Sequence, residues 1–318
     1  MQWFKGNTHC HSSKSDGRAT PANVAKYYKS KGYDFTVISD HNYLTPVTDW
    51  AEKAGILGIP ACELTGSEFC HVVGLNIKSS IKPTEYSYKD MAQKFQNNIY
   101  AEKLSEKELL KAIILQDAID KIIADGGIPI LCHPSWHWTF DAKIALALKN
   151  WKFFEVCNAG PDCNSYPTPM FSSGDEIWDT LLSEGKYVFG IASDDAHEYY
   201  LPYEPRGSFA GKGYIMVRSS KLSIENILTS ILNGDFYSTT GIEIKEYSVD
   251  KKGIHIEINP LEQEKTCFQF FGENGKILQN SFGTKTFYEF TGKEKYVRAR
   301  LSSTSGFWAW TLPIRLKY

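Results

Sequence analysis

No apolar run in this chain of 318 residues approaches the length that a bilayer demands, so neither a membrane-spanning segment nor a membrane partner is expected. The opening Met-Gln-Trp-Phe-Lys-Gly-Asn lacks the charged region, apolar stretch and small-residue cleavage site of a secretory signal. The expected compartment is the cytoplasm, or the exterior if a signal peptide has been removed. Positive charge is not in excess: 35 Lys and Arg face 37 Asp and Glu, a formal net charge of -2. That argues against a nucleic-acid polymer gripped by its phosphates and suits a small-molecule substrate. The 7 cysteines (Cys10, Cys62, Cys70, Cys132, Cys157, Cys163 and Cys267) form no CxxC pair and are odd in number. A disulfide framework is therefore not expected, and they read as small buried hydrophobes in a reducing compartment. There are no internal repeats and no low-complexity stretches. Hydrophobic residues at 42% and charged residues at 23% are ordinary for a soluble globular chain.

Strand and helix patterns alternate from residue 1 to residue 241. A short first strand leads to Thr8 and His9, and Thr20-Pro21 opens a helix that stops at Gly32. Phe35 to Ser39 is a β-branched, apolar run, hence a buried strand, and Thr45-Pro46 opens a second helix. Further strands are expected over 59–64, 72–77, 128–132, 152–156, 187–192 and 213–217, and helices over 105–125, 175–183 and 223–232. Residues 79–104 read as a polar excursion. Such alternation implies parallel strands with helical crossovers, and at least six units imply a closed or nearly closed barrel; an open doubly wound sheet is the runner-up. From 242 to 318 helix patterns vanish and turn signals such as Asn274-Gly275 appear between β-formers. This part, roughly 75 residues, reads as a small antiparallel β-sandwich packed on its neighbour.

The chemistry lies in the histidines. Of 8, most of the first seven stand at or beside a strand end, next to Asp, Glu, Pro or Gly. In extended chain His9 and His11 share a face while Cys10 turns to the scaffold, and Asp195 and His197 repeat the spacing. Asp16 follows in a loop able to fold back, His41 closes the strand of Phe35, Glu63 closes the next, His71 begins the one after, and His133 ends another. In parallel α/β folds the carboxyl ends of strands gather at one face. Nine donors there (His9, His11, Asp16, His41, Glu63, His71, His133, Asp195 and His197) exceed the needs of one ion and suit two or three. Imidazole with carboxylate and no thiolate points to Zn, Mn or Fe. Asp40 reads as orienting a ligand, Asp194 as a loop anchor. His137 reads as aromatic packing and His255 as unrelated.

Gly-Asn-Thr-His9-Cys-His11-Ser-Ser-Lys-Ser-Asp16-Gly, followed by Tyr33-Asp-Phe-Thr-Val-Ile-Ser-Asp40-His41-Asn, resembles the polymerase-and-histidinol-phosphatase (PHP) family. Glu63 with His71-Val-Val-Gly, Cys132-His133-Pro and Ser-Asp-Asp195-Ala-His197 are similar to its later motifs. The likeness spans residues 3 to 240 in order. The segment from Val297-Arg-Ala-Arg to Phe307-Trp-Ala-Trp-Thr-Leu-Pro-Ile resembles the β-domain of the CehA/McbA-type branch. The resemblance implies a distorted (β/α)7 barrel, the PHP-type α/β fold, with a trinuclear centre. It implies one ion held by His9, His11, Glu63 and Asp195, a second by Glu63, His71 and His133, and a third by Asp16, His41 and His197. It also implies hydrolysis of phosphate esters, with a carbamate hydrolase in the same branch.

The expected mechanism is attack of a metal-bound hydroxide on phosphorus, in line with the leaving oxygen. No Ser or Cys nucleophile sits in an elbow motif. Arg18 and Arg206 are candidates for the phosphate, and residues 199–207 for a lid. Two rival readings stand beside this one. The same centre suits amide or carbamate hydrolysis, and a metal-dependent binding module needs no reaction at all. Trp308 and Trp310 read as core and interdomain packing, with carbohydrate or partner binding as the alternative.

Overall fold

A computed structural model describes residues 1–84, 93–200, 207–259 and 263–316. The apolar runs become strands and the capped, amphipathic runs become helices. In chain order these are β1 (Gln2–Asn7), α1 (Pro21–Ser30), β2 (Phe35–Ile38), α2 (Ala51–Ala54), β3 (Leu57–Thr65) and β4 (His71–Leu75). Then come α3 (Glu106–Ala124), β5 (Ile128–Leu131), α4 (Ala142–Ala147), β6 (Phe153–Asn158), α5 (Gly174–Ser183) and β7 (Phe189–Ser193). The alternation ends with β8 (Tyr214–Ser219), α6 (Ile224–Asn233) and β9 (Phe236–Thr239). Capping boxes start α3 at Ser105/Glu108 and α5 at Ser173/Glu176. Thr20 makes no side-chain cap, and α1 begins on Pro21 alone. Thr45-Pro46 opens a 3-10 turn (Val47–Asp49) that runs on into α2; Thr45 does not cap it, its hydroxyl donating to the Asp40 carboxylate instead.

Strands β1 to β7 lie side by side in sequence order. The pairs β1–β2, β2–β3, β5–β6 and β6–β7 are parallel. Strand β4 is antiparallel to both β3 and β5, because only residues 66–70 separate it from β3 and no crossover fits in so few. The expected run of parallel units is therefore interrupted at β4, and it ends at β8, the strand expected over 213–217, which lies antiparallel to β1. Beyond β1 the sheet continues through antiparallel β8 and β9. The two ends of the β1–β7 path meet at the carboxyl-terminal mouth. There the backbone N–H of His11 donates to Ala196 (2.8 Å) and that of Asp195 to His9 (3.0 Å). These bonds run beyond the named strands rather than as a β1–β7 ladder.

The remaining chain is all β: β10 (Ile244–Val249), β11 (Gly253–Ile258), β12 (Thr266–Phe271), β13 (Ile277–Phe282), β14 (Lys285–Glu289), β15 (Tyr296–Ser303), β16 (Trp308–Thr311) and β17 (Ile314–Arg315). Strands β10, β11 and β14 form one antiparallel sheet. Strands β13, β12, β15 and β16 form the other, and β16 pairs with β9, so this sheet is continuous with the larger one. Ile254, Ile256, Phe268, Phe270, Val297 and Leu301 fill the space between the layers. Among the described residues no helix is long and apolar enough to cross a membrane.

Candidate metal centre

The fold brings strand ends together. His9 and His11 follow β1, His41 follows β2, Glu63 lies near the end of β3, His133 follows β5, and Asp195 and His197 follow β7. Strand β4 runs the other way, so its first residue, His71, arrives at the same mouth. Asp16 returns on a tight loop: a Cβ on Gly17 would lie 2.4 Å from the His11 carbonyl oxygen. All nine anticipated residues meet here. Seven of them line a cavity of about 700 Å³, and His9 and His11 lie fully buried beneath it.

Three carboxylates organise the imidazoles. Glu63 is buried, and five ring nitrogens surround its two oxygens: His41 at 2.9 Å, His71 at 3.1 Å, His133 at 3.2 Å, and His9 and His11 at 3.4 Å. Asp195 stands 3.1 Å from His11 Nε2 and 3.2 Å from His9 Nε2. Asp16, half exposed at the rim, lies 3.4 Å from Nε2 of both His41 and His197. The i, i+2 geometry expected for Asp195 and His197 does not hold. Asp195 takes a left-handed conformation (φ 47°), which aims its carboxylate at His9 and His11 and sends His197 to Asp16. His133 is likewise left-handed (φ 30°). Such backbone in a non-glycine residue costs free energy and collects at functional sites.

Hydrogen bonding alone does not satisfy this cluster. Nε2 of His9 and Nε2 of His11 face each other at 3.2 Å, both toward the Asp195 oxygen, and one proton cannot serve all three. Buried His11 Nδ1 and His133 Nδ1 have no hydrogen-bond partner. The donor atoms within 4.8 Å of one another group as His11/Asp16/His41/His197, His9/His11/Asp195, His41/Glu63/His71 and His9/Glu63/Cys132. These donors fit divalent cations. Without a cation, burial would lower the His9 pKa, but Asp195, Glu63 and Glu155 raise it well above the usual imidazole range. Burial does lower that of His11. Burial opposes ionisation of Glu63 and Asp195 too, yet the surrounding imidazoles hold both carboxyls below their usual range.

A second layer holds these groups in place. Glu155, buried in β6, accepts from His9 Nδ1 (2.8 Å), the His133 backbone N–H (2.7 Å), Asn158 Nδ2 (2.8 Å) and Ser193 Oγ (2.5 Å). Asn158 Nδ2 also reaches Asp195 (3.1 Å). Sequence reasoning missed both; the available signal was a lone acid inside the apolar run Phe153-Phe154-Glu155-Val156. Asp40 touches no imidazole. It accepts from Ser12 N and Oγ (2.7 Å each) and Ser15 Oγ (2.8 Å), fixing the loop that carries Asp16. Asp194 anchors its own loop, accepting from the N–H groups of residues 211–213 and from the Tyr28 hydroxyl. Cys10 faces the scaffold as expected, 3.0 Å from the Val37 carbonyl oxygen.

At the rim, Arg18 pairs with Glu198 at 3.3 Å. It is the only lysine or arginine among the described residues lining the cavity. Arg206 lies outside the described residues. Of the segment 199–207 expected as a lid, residues 201–206 lie outside the described residues; Tyr199 is buried, and its hydroxyl donates to the carbonyls of His11 (2.5 Å) and Ala196 (3.0 Å). Trp136 walls the cavity beside His71 and His133, its indole N–H bound to Asp162 at 2.8 Å. His137 stacks on Phe69 at 4.0 Å, the packing role expected of it.

No protein-family profile matches the chain, and no curated protein matches it in sequence. Solved structures do resemble it. An amidohydrolase from Chromobacterium violaceum, with bound sulfate and no metal, aligns over 64% of this chain and 93% of its own (14% identity, TM-score 0.36). A candidate metal-dependent phosphoesterase from Bifidobacterium adolescentis aligns over 63% and 90% (16% identity, TM-score 0.37). Both are too remote to bear on the fold. A two-domain protein from Bacteroides vulgatus, containing a predicted PHP-like metal-dependent phosphoesterase, aligns over 98% of this chain and 95% of its own. At 16% identity and a TM-score of 0.52, the chain shares that protein's fold from end to end.

Proposed function

We propose that the chain is a metal-dependent hydrolase, a phosphoesterase of the PHP type acting on a small phosphate ester. In this reading His9, His11, Glu63 and Asp195 hold one divalent ion, Glu63, His71 and His133 a second, and Asp16, His41 and His197 a third. The frame is a distorted seven-stranded barrel joined at its mouth by residues 9–11 and 195–196. Zn, Mn and Fe suit this mixture of imidazole and carboxylate. The observation that carries the reading is the crowding of five imidazoles within 3.4 Å of one buried carboxylate, Glu63. A hydrogen-bonded core has no use for such a set, whereas these donors would hold divalent ions.

Ions held there supply Lewis acidity to a phosphoryl oxygen and make water a stronger acid. The chain's own residues do the positioning. Glu155 accepts a hydrogen bond from His9 Nδ1 and so turns the Nε2 lone pair into the centre. Tyr199 ties the His11 and Ala196 backbones together. Arg18 offers the rim a guanidinium for a phosphate oxygen. A second reading, hydrolysis of a carbamate or amide, is favoured by one feature: Arg18 already faces Glu198, and Asp162 adds a further acid to the wall. A neutral carbonyl substrate meets less repulsion there.

The test joins metal content by mass spectrometry to turnover of an aryl phosphate monoester, an aryl phosphodiester and an aryl carbamate. His9→Ala with His11→Ala is the control. Two or more ions per chain, with phosphate-ester turnover lost in the control, is the expected result. Bound metal with carbamate turnover alone moves the chain to the second reading, and absence of metal and of turnover sinks both.

A further inference from the structure

The central cavity does not stand alone. The segment after β6, residues 159–167, is a wall common to three cavities. Gly160, Pro161 and Cys163 line both the central one and a second of about 590 Å³. Cys157, Ser165 and Tyr166 line both the second and a third of about 540 Å³, which opens between α5 and the C-terminal sandwich. The three cavities thus adjoin one another from the candidate centre to the junction of the two parts of the chain, where ligand sites commonly form.

The lining of the second and third cavities is aromatic and largely neutral. Tyr166 is 56% exposed and Phe307 40% exposed, although each borders a cavity. Trp308 lies 5.8 Å from Tyr166 and carries the Arg300 guanidinium over its ring at 5.0 Å. Trp310 differs: it is buried and its indole N–H is spent on Asp175 at 3.1 Å, a packing role. Around the three rings stand Asn164, Thr240 and Asn274. The charges offer little to a second anion. Arg300 is committed to Asp175 (3.1 Å) and Gln269 (2.7 Å), and Glu176 and Asp179 add negative charge. Lys212 borders the middle cavity, 5.7 Å from the Phe209 ring. Flat rings with an electron-rich face, flanked by amides and hydroxyls, fit a neutral molecule with C–H faces and hydroxyl edges. A further phosphate or a nucleotide chain would meet the acids instead.

We propose that Tyr166, Phe307 and Trp308 form a sugar-binding groove, so that the hydrolase acts on a phosphate ester of a short neutral glycan whose outer units lie there. This rests on the phosphoesterase reading for the cleaved bond, but the groove is testable without it. Intrinsic tryptophan fluorescence of the full chain, in the presence of EDTA, would be titrated with maltotriose, cellotriose, mannotriose and xylotriose up to about 10 mM, with AMP as the charged control. The expected result is saturable binding of at least one trisaccharide. Tyr166→Ala and Phe307→Ala, each shown by thermal melting to remain folded, should weaken it about fivefold or more. No response to any trisaccharide, binding indifferent to both substitutions, or tighter binding of AMP would overturn the proposal. The aryl-ester assays report on the centre separately. Saccharide binding with no phosphate-ester turnover supports the groove and sinks the phosphoesterase reading alone.

Discussion

At the scale of single residues, the centre depends on groups that hold other groups. Glu155→Ala would leave the His9 Nδ1 proton, the His133 N–H, Asn158 and Ser193 without their shared acceptor. Loss of such an outer partner weakens metal binding by about 10- to 100-fold. The expected outcome is a shift of that size in a chelator-competition assay, partly restored by Glu155→Gln, which keeps an acceptor for His9. Unchanged affinity in the alanine variant would remove Glu155 from the account. Protonation gives a second check. In the ion-free chain burial disfavours charged His41, but Asp16 and Glu63 outweigh it and raise its pKa from 6.5 to about 10. A pKa raised on folding means that the proton stabilises the folded state. That stability is complete below pH 6.5 and is lost as pH climbs toward 10. EDTA-treated protein should therefore melt at falling temperature over this window, and more steeply than a His41→Gln variant. Ion-loaded protein should lack the difference, because coordinated imidazole carries no proton at the donor nitrogen. The nine donors were legible because each stands beside an acid, a turn residue or a strand end. Glu155 was not, since inside an apolar strand a lone acid carries no spacing that says what it faces.

At the scale of elements, placement of the donors rests on strand direction and on the loops beyond the strands. Alternation of patterns predicted parallel strands throughout, and β4 departs from it because the link from β3 is five residues long rather than a crossover. This reversal delivers His71 by its amino end to a mouth that the other strands reach by their carboxyl ends. The helix α4 escaped the sequence reading, being only 6 residues long, and so did strand β9, whose Phe-Tyr-Ser-Thr lacks the aliphatic run that marked β2 and β5. Loop anchoring was legible at Asp194, whose carboxylate gathers three backbone N–H groups and the Tyr28 hydroxyl while fully buried. Asp194→Ala orphans all four donors and should cost about 3 kcal/mol, the scale of hydrogen bonds to a buried charge. Urea unfolding should show this as a lower midpoint with unchanged slope. Because Asp195 and His197 follow directly, ion binding should weaken as well. A variant as stable as the parent would mean that the loop is held by something else.

At the scale of the whole molecule, the two parts of the chain are joined by backbone and by charge. Composition changes at residue 242, where helix patterns stop, yet hydrogen bonding crosses that point: β16 pairs with β9, and β9 with β8. Nothing local in the sequence announces this, because a strand's partner 70 residues away leaves no periodic mark. The charge link is equally non-local. Arg298 is fully buried between the rings of Trp178 (4.9 Å) and Phe271 (4.8 Å). Its Nη2 and Nε bind the two oxygens of Asp179 at 2.6 and 2.8 Å, and its Nη1 lies 2.8 Å from Asp175. Both acids belong to α5, a helix of the first part, whereas Arg298 belongs to the sandwich. Removing one member of a buried ion pair leaves the other uncompensated, at a cost of about 3–5 kcal/mol. Arg298→Ala should therefore destabilise the whole chain in a single transition, seen by calorimetry as one shifted peak. Two separated peaks, the sandwich melting first while residues 1–241 hold, would show the parts to be independent and the continuous sheet to be energetically minor. The same logic applies to a chain ending at 241. It exposes the edge of β9 and the face beneath Trp310, and an unpaired, apolar edge invites aggregation. A soluble, ion-binding fragment of that length would contradict the account as directly as two calorimetric peaks.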